Sequence, residues 1–215
     1  MIGTIQVKVC GLTSAADAAA AAEIGADYLG FVLHEKSPRH IPLHRFGEIE
    51  AGLAGRPRVA VVVEPGPGTL GRLRDAGFDR FQVHFRRDMP ITSIEGWSKE
   101  VGAEALWLAP KLPGAEDVDS SWLALASAVL LDTFDPTLFG GTGRTGDWTK
   151  FRRHSEGKPG KTWILSGGLS PENVGAAIAA TGTRFVDVNS GVESSPGVKD
   201  HGRLKGFAAA VRAAA

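Results

Sequence analysis

The chain has 215 residues, 43% of them hydrophobic and 22% charged, a composition suited to a globular protein with one sizeable core and no disordered tract. Its 24 Lys and Arg balance its 24 Asp and Glu, so no overall field draws it to nucleic acid or an anionic membrane, and an anionic ligand must be held by local groups. A single cysteine, Cys10, excludes an intrachain disulfide framework. With no secretory pattern after Met1 and no run near the roughly 20 apolar residues of a spanning helix, a cytoplasmic protein is expected.

Short β-branched runs alternate with helical stretches from the start. Ile5–Cys10 reads as a first strand, Thr13 and Ser14 as caps of a helix reaching Ile24, and Gly25 as its end. Tyr28–Leu33 is a second strand, followed by a helix near Leu43–Ala54 and a third strand at Arg58–Val63. A helix from Thr69 to Ala76, closed by Gly77, leads to a fourth strand at Arg80–His84, and Pro90 suits the first turn of the next helix. Ala105–Ala109 and Val129–Asp132 are read as strands five and six around a short helix near Ser121–Ala126. Strand seven is Thr162–Ser166, its helix Pro171–Ala180 with Gly182 after it, and strand eight Phe185–Val188 precedes a terminal helix from about Asp200. Eight strands with short crossovers and no linker favour a single (β/α)8 TIM barrel, α/β in class and one catalytic domain over 1–215, with shorter loops than in the roughly 250-residue norm.

In such barrels chemistry sits at the C-terminal ends of the strands, and this rule selects the candidates. Cys10 ends strand one and is followed by Gly11, where a thiolate can accept a proton; the plain alternative is an inert, buried thiol. Asp132 ends the apolar run Val129-Leu130-Leu131 and lies across the barrel from Cys10, so the two can form an acid–base pair, although a loop-capping carboxylate would look the same. Arg39, in Ser37-Pro38-Arg39, can pair with a carboxylate in a planar fork, or be an ordinary surface arginine. Gln82 and His84 on strand four can orient a substrate, against the alternative of a satisfied core histidine.

Glycine-rich turns follow the last three strands: Phe139-Gly140-Gly141-Thr142-Gly143, Ser166-Gly167-Gly168-Leu169 and Asn189-Ser190-Gly191. Glycines let backbone N–H groups approach an anion, and the loops after strands seven and eight are the usual phosphate site of these barrels. Gly141, Gly143, Gly167, Gly168, Asn189, Ser190 and Gly191 are therefore phosphate-binding candidates. Neither the histidines nor the lone cysteine forms a spaced ligand set, and no metal is expected.

Together these segments resemble the phosphoribosylanthranilate isomerase family from about Lys8 to Asp200. The match runs through Lys8-Val9-Cys10-Gly11-Leu12-Thr13, Gly30-Phe31-Val32, Ser37-Pro38-Arg39, Leu130-Leu131-Asp132 and Gly140-Gly141-Thr142-Gly143 with Asp147-Trp148. It continues through Leu165-Ser166-Gly167-Gly168-Leu169, Pro171-Glu172-Asn173-Val174, Val186-Asp187-Val188-Asn189-Ser190-Gly191-Val192-Glu193 and Pro196-Gly197-Val198-Lys199-Asp200. The resemblance implies an Amadori rearrangement of an anilino aldose phosphate in tryptophan biosynthesis. Asp132 would be the general acid at the ring oxygen, Cys10 the general base at C2, and Arg39 would face the anthranilate carboxylate. Gln82, His84 and Asp187 join Arg39 as substrate-binding candidates. The implied partner is a small sugar phosphate, with no cofactor, no nucleic acid and no membrane; monomer and homodimer both stay open.

Three positions depart from the family pattern: Phe85 after His84 where Gly is usual, Gly146 before Asp147-Trp148 where an aromatic residue is usual, and the strand-five end Leu108-Ala109-Pro110-Lys111. The competing readings are the histidine-pathway aldose–ketose isomerase or a bifunctional relative, which typically use paired aspartates, and a noncatalytic phosphate-ligand binder on a degenerate barrel.

Overall fold

The computed structural model describes residues 1–49, 53, 55–112, 116–132 and 148–215. Eight parallel strands close into a barrel in strict chain order: β1 Gln6–Val9, β2 Tyr28–Val32, β3 Arg58–Val63, β4 Arg80–Arg86, β5 Leu106–Lys111, β6 Ala128–Leu131, β7 Thr162–Leu165 and β8 Phe185–Val188. The seam is a full ladder, with Gln6, Val7, Lys8 and Val9 of β1 opposite Phe185, Val186, Asp187 and Val188 of β8. Helices α1 Ala15–Glu23, α2 Phe46–Ile49, α3 Thr69–Asp75, α4 Ile91–Val101, α5 Trp148–Gly157, α6 Val174–Thr181 and α7 His201–Ala214 lie between the strands or after the last one. No helix among the described residues is long and apolar enough to cross a membrane.

Local chemistry explains several boundaries. Ser14 caps α1 by accepting the Asp17 N–H, and Asp200 caps α7 by accepting that of Arg203. The helix expected at Pro171–Ala180 starts three residues later, at Val174, because Asn173 organises the preceding turn. Its side-chain oxygen accepts the Ser170 N–H and its amide donates to the Gly168 carbonyl. The expected Leu43–Ala54 helix is a 3-10 turn, Leu43–Arg45, running into α2; residues 50–52 and 54 lie outside the described residues. Strand β4 extends past His84 to Arg86, and β5 past Ala109 to Lys111. Pro110 is tolerated there because pairing of β5 with β6 ends at Leu108 opposite Val129, so its missing N–H breaks no ladder bond to β6.

Side-chain parity divides the protein into two cores. Val7, Val9, Leu29, Phe31, Val83, Phe85, Val129, Leu131, Val186 and Val188 face outward into the layer beneath the helices. Cys10, Val32, Val59, Val61, Trp107, Ala109, Ala128, Leu130, Ile164 and Phe185 fill the barrel itself, with Tyr28 packed against them. Near the strand starts the rings of Tyr28, Trp107 and Phe185 plug the interior, their centroids 4.9 to 5.5 Å apart. The C-terminal half of the interior is left for polar groups.

Candidate active site

Period-2 alternation carries Lys8 and Cys10, Gln82 and His84, Leu130 and Asp132, Ile164 and Ser166, and Asp187 and Asn189 to the inner face of the barrel. A cavity of about 750 Å³ opens at the strand ends, walled by Cys10, His34, Lys36, Arg39, Glu64, Gln82, His84, Arg86, Asp132, Ser166, Asp187 and Asn189, among others. The two candidates for acid–base work, 122 positions apart, thus share one cavity. Asp132 is half-buried and immediately follows β6, while Cys10 is buried and receives its position from the Cys10 N–H bond to the Val188 carbonyl. Burial pushes the Cys10 thiol up, and the ammonium groups of Lys8 and Lys199 oppose that push.

Arg39 is not the exposed arginine of its plain alternative. Only 8% exposed, it forks onto Glu193, with Nε to Oε1 at 2.8 Å and Nη2 to Oε2 at 2.7 Å. Lys199 donates to the same carboxylate at 2.9 Å, and to the side-chain oxygen and carbonyl of Asn189. This network orients the guanidinium at the cavity wall through a planar bidentate pair, while its remaining N–H groups can serve an anion. The hydrogen bonds from Arg39 and charge from Lys199 overcome burial and hold the Glu193 carboxyl below its ordinary range.

His84 and Gln82 meet on β4, with the Gln82 amide nitrogen 2.8 Å from His84 Nε2. Burial first, then the charges of Lys8 and His34, lower the imidazole to about 3. His84 is therefore neutral near neutral pH, and Nε2 accepts the Gln82 proton, which places the ring proton on Nδ1. An unfolded His84 takes up a proton below about pH 6.5 and the folded one does not until about 3, so stability present above 6.5 is lost as pH falls between these values. The loss from this one group is about 1.4 kcal/mol per pH unit. Between pH 6.5 and 5 a His84→Gln variant is expected to lose less unfolding free energy in urea titrations than the wild type; parallel losses would contradict a neutral His84.

Asp187 lines the cavity, but both of its oxygens are already engaged. Lys8 Nζ lies 2.8 Å from Oδ1, and Ser166 Oγ donates to Oδ2 at 3.3 Å. Phe85, the departure from the family pattern next to His84, points away from the cavity into an aromatic cluster with Trp97 and Trp122. It leaves the inner face of β4 unchanged. Gly146 lies outside the described residues.

The two glycine turns among the described residues, after β7 and β8, meet at one place. Gly167 and Gly168 take φ of 93° and 61°, values open to glycine, while Ser190–Val192 forms a short 3-10 turn after β8. A Cβ on Gly191 would stand 1.9 Å from the Leu169 carbonyl oxygen, so the loops after β7 and β8 touch backbone to backbone. Ser166 and Asn189, the residues just before the two turns, line the cavity, while Gly167, Gly168, Ser190 and Gly191 stand behind them. Gly191→Ala is expected to force the two loops apart and raise KM for a phosphate-bearing substrate about tenfold or more, while kcat falls less, as steady-state kinetics would show. Gly141 and Gly143 lie outside the described residues.

In the sequence Lys8, Glu193 and Lys199 stand out only as parts of motifs, and Glu64 does not stand out at all. A lysine inside the apolar run Val7-Lys8-Val9 was the available signal for the first, since a buried charge requires a partner. Glu64 directly follows β3 with φ 43°, a strained value for a side chain of its kind, held by its N–H to the His84 carbonyl and by its carboxylate to the Arg86 N–H and guanidinium. Nothing in a sequence pattern announces that conformation.

Residues 7–210 match the model of the N-(5'-phosphoribosyl)anthranilate (PRA) isomerase family. An N-(5'-phosphoribosyl)anthranilate isomerase of Pseudomonas fluorescens is 38% identical over 216 residues, covering 98% of this chain and all of that one. The Zymomonas mobilis protein of the same name is 34% identical over 214 residues, 97% and 99% of the two chains. Among solved structures, a phosphoribosyl anthranilate isomerase from Thermus thermophilus superposes with a TM-score of 0.79 at 30% identity, covering 97% of this chain and 99% of that one. A phosphoribosyl anthranilate isomerase in complex with reduced 1-(o-carboxyphenylamino)-1-deoxyribulose 5-phosphate aligns at 0.75 and 30% identity, with the same coverage.

Proposed function

The chain belongs to the N-(5'-phosphoribosyl)anthranilate isomerase family, and from that membership we propose how its cavity carries out the reaction. The enzyme converts N-(5-phosphoribosyl)anthranilate to 1-(2-carboxyphenylamino)-1-deoxyribulose 5-phosphate, an isomerisation of tryptophan biosynthesis. The working unit is one catalytic domain, the barrel over 1–215.

The Asp132 carboxyl protonates the furanose ring oxygen as the bond from that oxygen to C1 breaks, and the anilino nitrogen lone pair forms a C1=N bond. The Cys10 thiolate removes the C2 proton, the electrons form C1=C2, and the C=N pair returns to nitrogen. Proton uptake at C1 and proton loss from the C2 hydroxyl then yield the ketose and return both groups to their starting forms. No cofactor enters, because the substrate nitrogen is itself the electron sink.

The observation that carries this reading is the presence of Cys10 and Asp132, from opposite sides of the barrel, on the wall of one cavity. Arg39, held by Glu193, faces the anthranilate carboxylate, and the junction of the Gly167-Gly168 and Ser190-Gly191 turns receives the phosphate. Gln82 and neutral His84 contact the sugar hydroxyls. Binding energy at these two anionic ends fixes the reacting end between acid and base.

A fluorescence assay following loss of phosphoribosylanthranilate tests the reading directly. Consumption of substrate with appearance of the ketose is expected; tight binding without consumption would point to the noncatalytic binder instead. Complementation separates the remaining alternative. The gene should rescue a tryptophan auxotroph lacking this step, and rescue of only a histidine auxotroph would overturn the assignment.

A further inference from the structure

Among the described residues Lys8 heads the fully buried side chains by volume, with no exposed surface at all. A lysine with its charge in such a place costs several kcal/mol unless its partners are close and well aligned. Its ammonium sits 2.8 Å from Asp187 Oδ1 across the β1–β8 seam, and the other Asp187 oxygen is held by Ser166. Burial pulls the ammonium down, yet the charges of Asp187 and Cys10, with the hydrogen bond to Asp187, leave it above its ordinary value. Lys8 therefore stays charged inside the barrel.

Its second neighbour is the Cys10 sulfur, two residues along on the same inner face, close enough for the charge of each to act on the other. Gly30, on β2, leaves the space in which these two side chains meet. A Cβ there would stand 2.9 Å from Lys8 Cε and 3.1 Å from Cys10 Sγ. Three features, the lysine, its clamp and the missing side chain opposite, thus converge on one sulfur atom.

We propose that Lys8 is a positioning residue for the isomerisation: its ammonium, fixed by Asp187, holds the Cys10 sulfur in place and stabilises the thiolate at the moment it takes the C2 proton. This rests on the reading of Cys10 as the base. An apolar side chain would satisfy packing at this position without the burial of two charges, so packing alone does not account for the pair.

The groups facing the sulfur have opposing signs. Lys8 from β1, Lys199 from the short strand Val198–Lys199 and Arg39 from the loop after β2 favour the thiolate; Asp187 from β8 opposes it. Glu193 pairs with both Arg39 and Lys199, its one negative charge offsetting only one of the two cations, and His84, His34 and Asp132 share the cavity. Of these influences Lys8 is the largest opposing burial, and it exceeds that of Asp187.

Because Cys10 is the sole cysteine, ultraviolet thiolate absorbance reports it alone, with Cys10→Ser as the blank. Lys8→Met is expected to move the thiolate titration up by about one pH unit or more, reducing the thiolate about tenfold near neutral pH. Asp187→Asn should move it down. The double variant Lys8→Met, Asp187→Asn leaves no orphaned charge and should fold, with the titration and the limb of the kcat–pH profile on which activity rises with Cys10 ionisation still shifted upward. A folded double variant with both curves at their wild-type positions would overturn the role of Lys8. Undiminished turnover of Cys10→Ser would instead remove the base assignment itself, whichever way the titrations move.

Discussion

Cys10→Ala and Asp132→Asn are each expected to lower kcat by at least about 10²–10⁴-fold, with circular dichroism and the unfolding midpoint close to those of the wild type. The size follows from general acid–base catalysis, where a positioned group supplies this factor by moving a proton in the transition state. The loss should fall on kcat and kcat/KM together, because neither group holds the phosphate or the carboxylate of the substrate in the ground state. Asp132→Asn keeps the shape and hydrogen-bonding capacity of the side chain while removing the transferable proton. Cys10→Ala removes a small buried thiol that packs beside Val32 and Val61, at a modest cost in stability. Single-turnover measurements on both variants provide the check, and near-normal turnover would remove these roles.

Trp107→Ala is expected to do the reverse, destabilising the barrel by about 3–5 kcal/mol while leaving kcat and KM nearly unchanged below the unfolding transition. Trp107 is 3% exposed and meets Tyr28 edge-on at 4.9 Å and Phe185 edge-on at 5.5 Å. Alanine leaves a void in a closed ring of strands that cannot collapse around it, since each strand is tied to two neighbours. For a chain of this size the unfolding midpoint should fall on the order of 10 °C. Scanning calorimetry with parallel kinetics measures both halves of the expectation. Equal losses of stability and activity would mean that the aromatic plug and the cavity are mechanically coupled, contrary to their separation along the barrel axis.

These two variants divide the interior by height. The lower layer is apolar and stabilises the barrel; the upper one is polar and lines the cavity in which we propose the chemistry takes place. The division appears along single strands: Trp107 and Ala109 lie below Lys111 on β5, and Leu130 below Asp132 on β6.

Much of the barrel is legible locally. The β-branched runs, the cap at Ser14 and the glycines after helices report short-range preferences and burial, so Arg58–Val63 and Phe185–Val188 are placed to the residue. Where a side chain bends the local chain, as Asn173 does before α6, the pattern misplaces the boundary. The placement of Cys10 and Asp132 at the mouth of the barrel was readable too, because strand ends are visible in the pattern and both residues line the cavity there.

What the sequence determined by itself is the set of strands, their ends and the residues of chemical interest at those ends, all of which depend on neighbours a few positions away. Only the tertiary structure decided which of them face the same space, and which charges are partners. Lys8 meets Asp187 179 positions away, and Arg39 meets Glu193 154 positions away. The physical reason is that closure of the ring brings β1 against β8 and sets the parity of every strand relative to the axis. A lysine in an apolar run announces that it needs a counter-charge; which carboxylate supplies it is settled only when the ring closes.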